Sequence, residues 1–92
     1  MTTDSCDTRR ARIAWRCRRG MRELDLLLER FLATGLQSLG IADLDCLEKL
    51  LAQPDQDILA WLTAEPKPED ADIRRIVAIL RDRIFSPMSP DD

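Results

Sequence analysis

Arg18-Arg19-Gly20-Met21-Arg22-Glu23-Leu24-Asp25 places three arginines, a glycine and two acids in eight consecutive residues. The chemistry these types offer is recognition rather than bond breaking. Guanidinium and carboxylate groups make strong, directional charge-assisted hydrogen bonds. A glycine lets the chain turn and leaves bare backbone for close approach. The chain has no histidine, which removes the commonest general base and the commonest metal ligand. Catalysis through Glu, Asp, Lys or Cys stays open in principle, but no catalytic residue stands out.

Upstream of this run, helical geometry at ~100° per residue sets Trp15 nearly opposite Ile13 and Cys17. Arg12, Arg18 and Arg19 project on the Trp15 side, and Arg22 joins them if the helix continues past Gly20. A tryptophan ringed by arginines is the residue mix of binding hot spots. The alternative is that Trp15 packs beneath another helix and the arginines form a solvated face. Arg19 and Glu23 are four residues apart. On an unbroken helix they would form a pair worth ~0.3–0.5 kcal/mol; across a glycine corner the same pair could hold the turn.

Other chemistries find little support. Gly20, Gly35 and Gly40 form no dinucleotide or phosphate-binding loop. The acids Asp43, Asp45 and Glu48, and Asp55 with Asp57, lack the spacing of a calcium loop. Cys6, Cys17 and Cys46 are odd in number and form no Cys-x-x-Cys, so neither a disulfide framework nor a metal site is expected. Cys17 falls on an apolar stripe, whereas Cys46 lies off the stripe of its helix and is expected to be partly exposed.

These residues need a scaffold, and the pattern predicts helices only. A first helix is expected from about residue 8 to 19, with Ile13, Ala14, Cys17 and Met21 inward and Gly20 ending it. A second spans about 22 to 34, with Leu24, Leu27, Leu28, Phe31 and Leu32 as the strongest amphipathic stripe. Gly35 ends it, and a short connection follows to Gly40. A third runs from about 41 to 53, with Ile41, Leu44, Leu47, Leu50 and Leu51 inward. Pro54 closes it, and Asp55 is a plausible N-cap for a short fourth helix over about 57 to 64. Pro66-Lys67-Pro68 is a break. A fifth helix covers about 69 to 84, with an acidic first turn. The fold expected is all-α, a single small five-helix bundle over residues 8–85, with loose tails at 1–7 and 86–92.

With 92 residues, 45% of them apolar and 34% charged, the chain suits one globular domain rather than a disordered segment. No apolar run reaches the ~18 residues of a membrane span and no leader peptide is apparent, so a cytoplasmic protein without membrane insertion is expected. Charge is divided unevenly. Residues 1–22 carry seven arginines against Asp4 and Asp7, while residues 23–92 carry fifteen acids against seven bases. Overall acidity argues against nucleic acid, whose binding rests on phosphate neutralisation. The basic first segment keeps a small nucleic-acid-binding or regulatory protein as the alternative reading.

Ala11-Arg12-Ile13-x-Trp15 followed by Cys17-Arg18-Arg19-Gly20-Met21-Arg22-Glu23-Leu24-Asp25 resembles the signature of the succinate dehydrogenase FAD-assembly factors. These are the bacterial flavinators, which resemble mitochondrial succinate dehydrogenase assembly factor 2. The hallmark is Arg-Gly-x-x-Glu, here Arg19 to Glu23. Ser38-Leu39, Leu50-Leu51, Pro54-Asp55-x-Asp57, Trp61-Leu62, Lys67-Pro68 and Asp70-Ala71 also fit, so the resemblance covers about residues 9–84. It departs at Ala14, where many members have histidine, and at a less acidic start to the third helix. The resemblance implies an accessory protein, not an enzyme, expected to act as a monomer. It would bind the flavoprotein subunit of succinate dehydrogenase, extending to that of fumarate reductase, and promote covalent attachment of FAD to a histidine there. The FAD would belong to the partner, with no cofactor or metal held stably by this chain. The family's motif places Arg19, Gly20 and Glu23 at the partner surface; Arg12, Trp15, Arg18 and Asp25 match further family positions. The mode of action this suggests is positional, with Gly20 allowing close approach and Arg19 and Glu23 making charged contacts.

Overall fold

The structure is a computed structural model that describes residues 6–64 and 68–85. Five helices follow in order: α1 (Cys6–Arg16), α2 (Arg22–Thr34), α3 (Ile41–Leu51), α4 (Asp55–Thr63) and α5 (Ala71–Phe85), with one 3₁₀ turn at Leu36–Ser38 between α2 and α3. The expected all-α five-helix architecture is the observed one. The expected tails at 1–7 and 86–92 fall largely outside the described residues, as do Pro66 and Lys67 of the break; α1 already begins at Cys6.

The α2 stripe organises the core. Leu24, Leu28 and Phe31 recur at three- and four-residue steps and are fully buried. Around them close Ile13 of α1, Leu44, Leu47, Leu50 and Leu51 of α3, Ile58 and Leu62 of α4, and Ile76 and Leu80 of α5. No charged or polar side chain is buried among the described residues. Gly35 caps α2, its N–H donating to the Phe31 carbonyl at 2.7 Å. A Cβ there would stand 2.5 Å from the Phe31 ring, so this turn admits only glycine without a shift of the core.

α3 packs most extensively against α5 and also touches α1. Two residues depart from the expected α3 stripe for that reason. Cys46, expected to be partly exposed, is buried on the side toward α5, because a helix with neighbours on two flanks hides a wider stripe. Ile41, expected inward, is 63% exposed, because it opens the helix beyond the edge of the core.

Helix ends explain the other differences. Pro54, not Asp55, is the N-cap of α4; its carbonyl accepts from the N–H groups of Asp57 and Ile58. Asp55 is the first helical residue, and its carboxylate is engaged elsewhere. Asp70 starts α5, with Oδ1 accepting from the N–H groups of Asp72 at 2.8 Å and Ile73 at 3.1 Å.

Candidate functional site

α1 ends at Arg16, not at Arg19, and the cause lies downstream. The Cys17 N–H is shared between the carbonyls of Ile13 and Ala14, and the Arg18 N–H donates to Trp15, so the last turn tightens. The next donors leave the helix. Asp25 accepts from the Arg19 N–H through Oδ1 at 2.8 Å and from the Gly20 N–H through Oδ2 at 3.1 Å. The Arg16 carbonyl, which Gly20 would occupy in a continued helix, instead accepts from Arg19 Nη1 at 3.1 Å. Gly20 then turns at φ +88°, a left-handed conformation that favours glycine. It therefore leads into α2 rather than ending α1. Nothing lies within 4 Å of where a Gly20 Cβ would be, so the corner is open.

The Arg19 side chain points back into the protein. Its Nε donates to Asp55 Oδ1 at 2.7 Å and its Nη2 to the Gln53 carbonyl at 3.2 Å. Only 16% of that side chain is exposed. Arg19 thus binds the α1–α2 corner to the start of α4. Glu23, in the first turn of α2, is exposed and joins no ion pair among the described residues. Of the two readings of the Arg19/Glu23 spacing, a mutual salt bridge is not formed; Asp25 and Asp55 hold the corner instead.

Trp15 is 70% exposed and does not lie beneath another helix. The Arg18 guanidinium sits 5.8 Å from its ring centroid, within cation–π range. Arg12 is exposed on the same helix. A groove of about 700 Å³ opens here, lined by Ala11, Ala14, Trp15, Cys17 and Arg18 on one side and Asp25, Glu29 and Leu32 of α2 on the other. Trp15, Arg18 and Asp25 are therefore brought together, whereas Glu23 is not among the residues lining the groove. Burial pushes the Cys17 thiol up to about 11, against the pull of Arg19 and Arg16, so this thiol is no nucleophile at neutral pH.

Asp55, the Gln53 carbonyl and Glu29 were not legible as members of this region. Asp55 reads as a cap from its position before a short helix; only the folded chain brings it to Arg19. Among the described residues no group of three or more His, Cys, Asp or Glu could hold a metal ion, and no helix is long and apolar enough to cross a membrane.

The fold and its corner define a small all-helical domain that presents an exposed aromatic, an open glycine and an exposed acid near one helix corner. The chain belongs to the family described as flavinator of succinate dehydrogenase, whose model matches residues 11–84. It is 41% identical over 78 residues to the FAD assembly factor SdhE of Pseudomonas aeruginosa, covering 85% of this chain and 93% of that protein. It is 41% identical over 66 residues to that of Coxiella burnetii, covering 72% and 80%. Against that of Legionella pneumophila (strain Paris) the identity is 39% over 72 residues, covering 78% and 90%. The comparisons lend no support to the nucleic-acid reading.

Proposed function

We propose that this protein is a cytoplasmic accessory factor that binds the flavoprotein subunit of succinate dehydrogenase and promotes covalent attachment of FAD to it. The observation that carries this reading is the family match over residues 11–84, which contains the whole α1–α2 corner. The flavoprotein of fumarate reductase is the second client of the same reading. The FAD and the histidine that receives it stay with the partner; a chain without histidine cannot be the acceptor.

The corner divides its work in this reading. Asp25 and Arg19 hold the backbone, Gly20 lets the partner approach closely, and Glu23 meets the partner with its free carboxylate. Arg12, Trp15 and Arg18 widen the contact along α1. Docking then holds the flavoprotein in an arrangement competent for flavin attachment, which lowers the barrier by orientation alone.

The test is co-expression with the cognate flavoprotein subunit, reading covalent flavin by in-gel fluorescence. A clear gain over the flavoprotein alone is expected. No gain, with this protein soluble and folded, rejects the reading.

A further inference from the structure

We propose that α1 is a latched helix: residues 6–16 leave the bundle and lose their helix as one unit, while the α1–α2 corner and the other four helices stay in place. The inference stands on how α1 is attached and does not depend on the assembly-factor reading. Ile13 is the one buried side chain among the described residues of α1, whereas α2 buries three and α3 and α5 five each. Two neighbouring arginines hold α1 instead. Arg9 lays its guanidinium on α3: Nε donates to Glu48 Oε2 at 3.1 Å, and Nη2 donates to Glu48 Oε1 at 3.0 Å and to Asp45. Arg10 turns to the connection after α2, where Nε donates to the Leu36 carbonyl at 3.3 Å and Nη2 to that of Leu39 at 2.8 Å. Both side chains are mostly shielded from water.

Freed from these contacts, the segment has little to keep it helical. It has 11 residues, and isolated helices shorter than about 12–15 residues are marginal in water. Arg9, Arg12 and Arg16 follow one another at helical-turn spacing, and like charges so placed weaken a helix. In the docked state Glu48 lies against them, bonded to Arg9 and within the field of Arg16; on release that counter-charge is gone. The ion pair within α1 among the described residues, Asp7 with Arg10, spans 3.9 Å, and its carboxylate is 90% exposed. Docking and helix are therefore lost together.

The release has a fixed end. Arg19 Nη1 holds the Arg16 carbonyl. Arg19 is itself fixed by Asp55, by the Gln53 carbonyl and, through its N–H, by Asp25. Cys17 and the corner beyond it thus stay with the bundle. The released form presents Gly20 and Glu23 without the Arg12 and Trp15 of α1.

The experiment is native-state hydrogen exchange of the full chain, read amide by amide by NMR. Amides of α1 should exchange at least ~10-fold faster, relative to their unprotected rates, than the core amides of α2 and α5. Arg9→Met should speed α1 exchange by roughly 10-fold or more, the loss of charge-assisted hydrogen bonds. Arg12→Met, at an exposed position of the same helix, should change it less than about 2-fold. Ile76→Val trims the buried core on α5. It should speed α5 exchange by about 2–10-fold and leave α1 unchanged, because a unit that opens alone does not sense the stability of the rest. Equal protection of α1 and α5, or an Ile76→Val variant that speeds both alike, overturns the proposal: the domain then opens only as a whole. Exchange of the α2 amides together with those of α1 also overturns it, as does an Arg9→Met variant with α1 exchange like wild type. If Arg9→Met does not fold, Arg9→Lys replaces it, and the wild-type and Ile76→Val patterns decide without either.

Discussion

The Arg19 guanidinium is tied to the Asp55 carboxylate across 36 residues of sequence, Nε to Oδ1 at 2.7 Å. The pair is mostly shielded from water, and it fixes the α1–α2 corner against α4. Asp55→Ala is expected to cost about 1.5–3 kcal/mol, the range for a hydrogen bond to a charged group. Arg19→Ala should cost more, because it also releases the Gln53 and Arg16 carbonyls. Urea midpoints of the two single variants and the double variant measure this. A double variant no worse than Arg19→Ala shows that Asp55 acts through Arg19.

Glu23→Ala separates contact from scaffold. Its carboxylate joins no ion pair among the described residues, so the melting temperature should stay within about 1–2 °C of wild type. Covalent flavin in co-expressed flavoprotein should fall several-fold. A large stability loss with no change in flavin attachment would show that Glu23 serves the fold instead.

Two glycines should fail differently. Gly35→Ala drives a Cβ into the Phe31 ring, which is fully buried. About 1–3 kcal/mol of stability should be lost, as for other overpacked cores. Gly20→Ala meets no neighbour but must hold φ +88°, at about 1–2 kcal/mol. Chemical denaturation gives both values. Partner affinity of the folded protein should drop only for the Gly20 variant.

Acid should unfold this protein through its tethers. Arg9 donates to both carboxylate oxygens of Glu48 and holds that carboxyl below its usual range. Lys49 and the Ile73 N–H do the same for Asp70. A carboxylate with a lowered folded value contributes stability that is present above its unfolded value. The unfolded chain therefore takes up protons first, and stability should decline as pH falls below about 4.5. Lys49 is raised by Asp70 and Asp72, so its share is lost as pH climbs past about 10.5. Urea midpoints across pH check the shape, and Arg9→Met should flatten the acid limb.

Cys17 and Cys46 should resist thiol reagents in the native protein at pH 7. Burial raises both thiols and leaves little thiolate. Reaction with a chromogenic disulfide should release the colour of both only after denaturant is added. Rapid native labelling of either would contradict the packing described.

Local signals were readable and remote ones were not. The bounds of α2 follow from its stripe and from Gly35, all within the helix. The end of α1 could not be placed, because the groups that take its donors sit on Asp25, beyond the turn itself. The Arg19 and Asp55 side chains meet only after α1, α3 and α4 have packed, and no spacing rule reaches that far. The exposure of Ile41 and the burial of Cys46 depend on where α5 lies, which a single-helix stripe cannot report. Trp15 was legible as facing away from the core, while its exposure needed the absence of a covering helix.

The Asp25 clamp also bears on the order of assembly. It closes rings of only five and six residues, through the N–H groups of Gly20 and Arg19. Closing so short a loop costs roughly 1.6 kcal/mol less chain entropy than closing the 36-residue span between Arg19 and Asp55. The corner can therefore take shape from its own neighbourhood before the bundle is complete, and the later tether only locks it. By the time a partner arrives, the disorder of that loop has already been given up during folding, and docking is spared that cost.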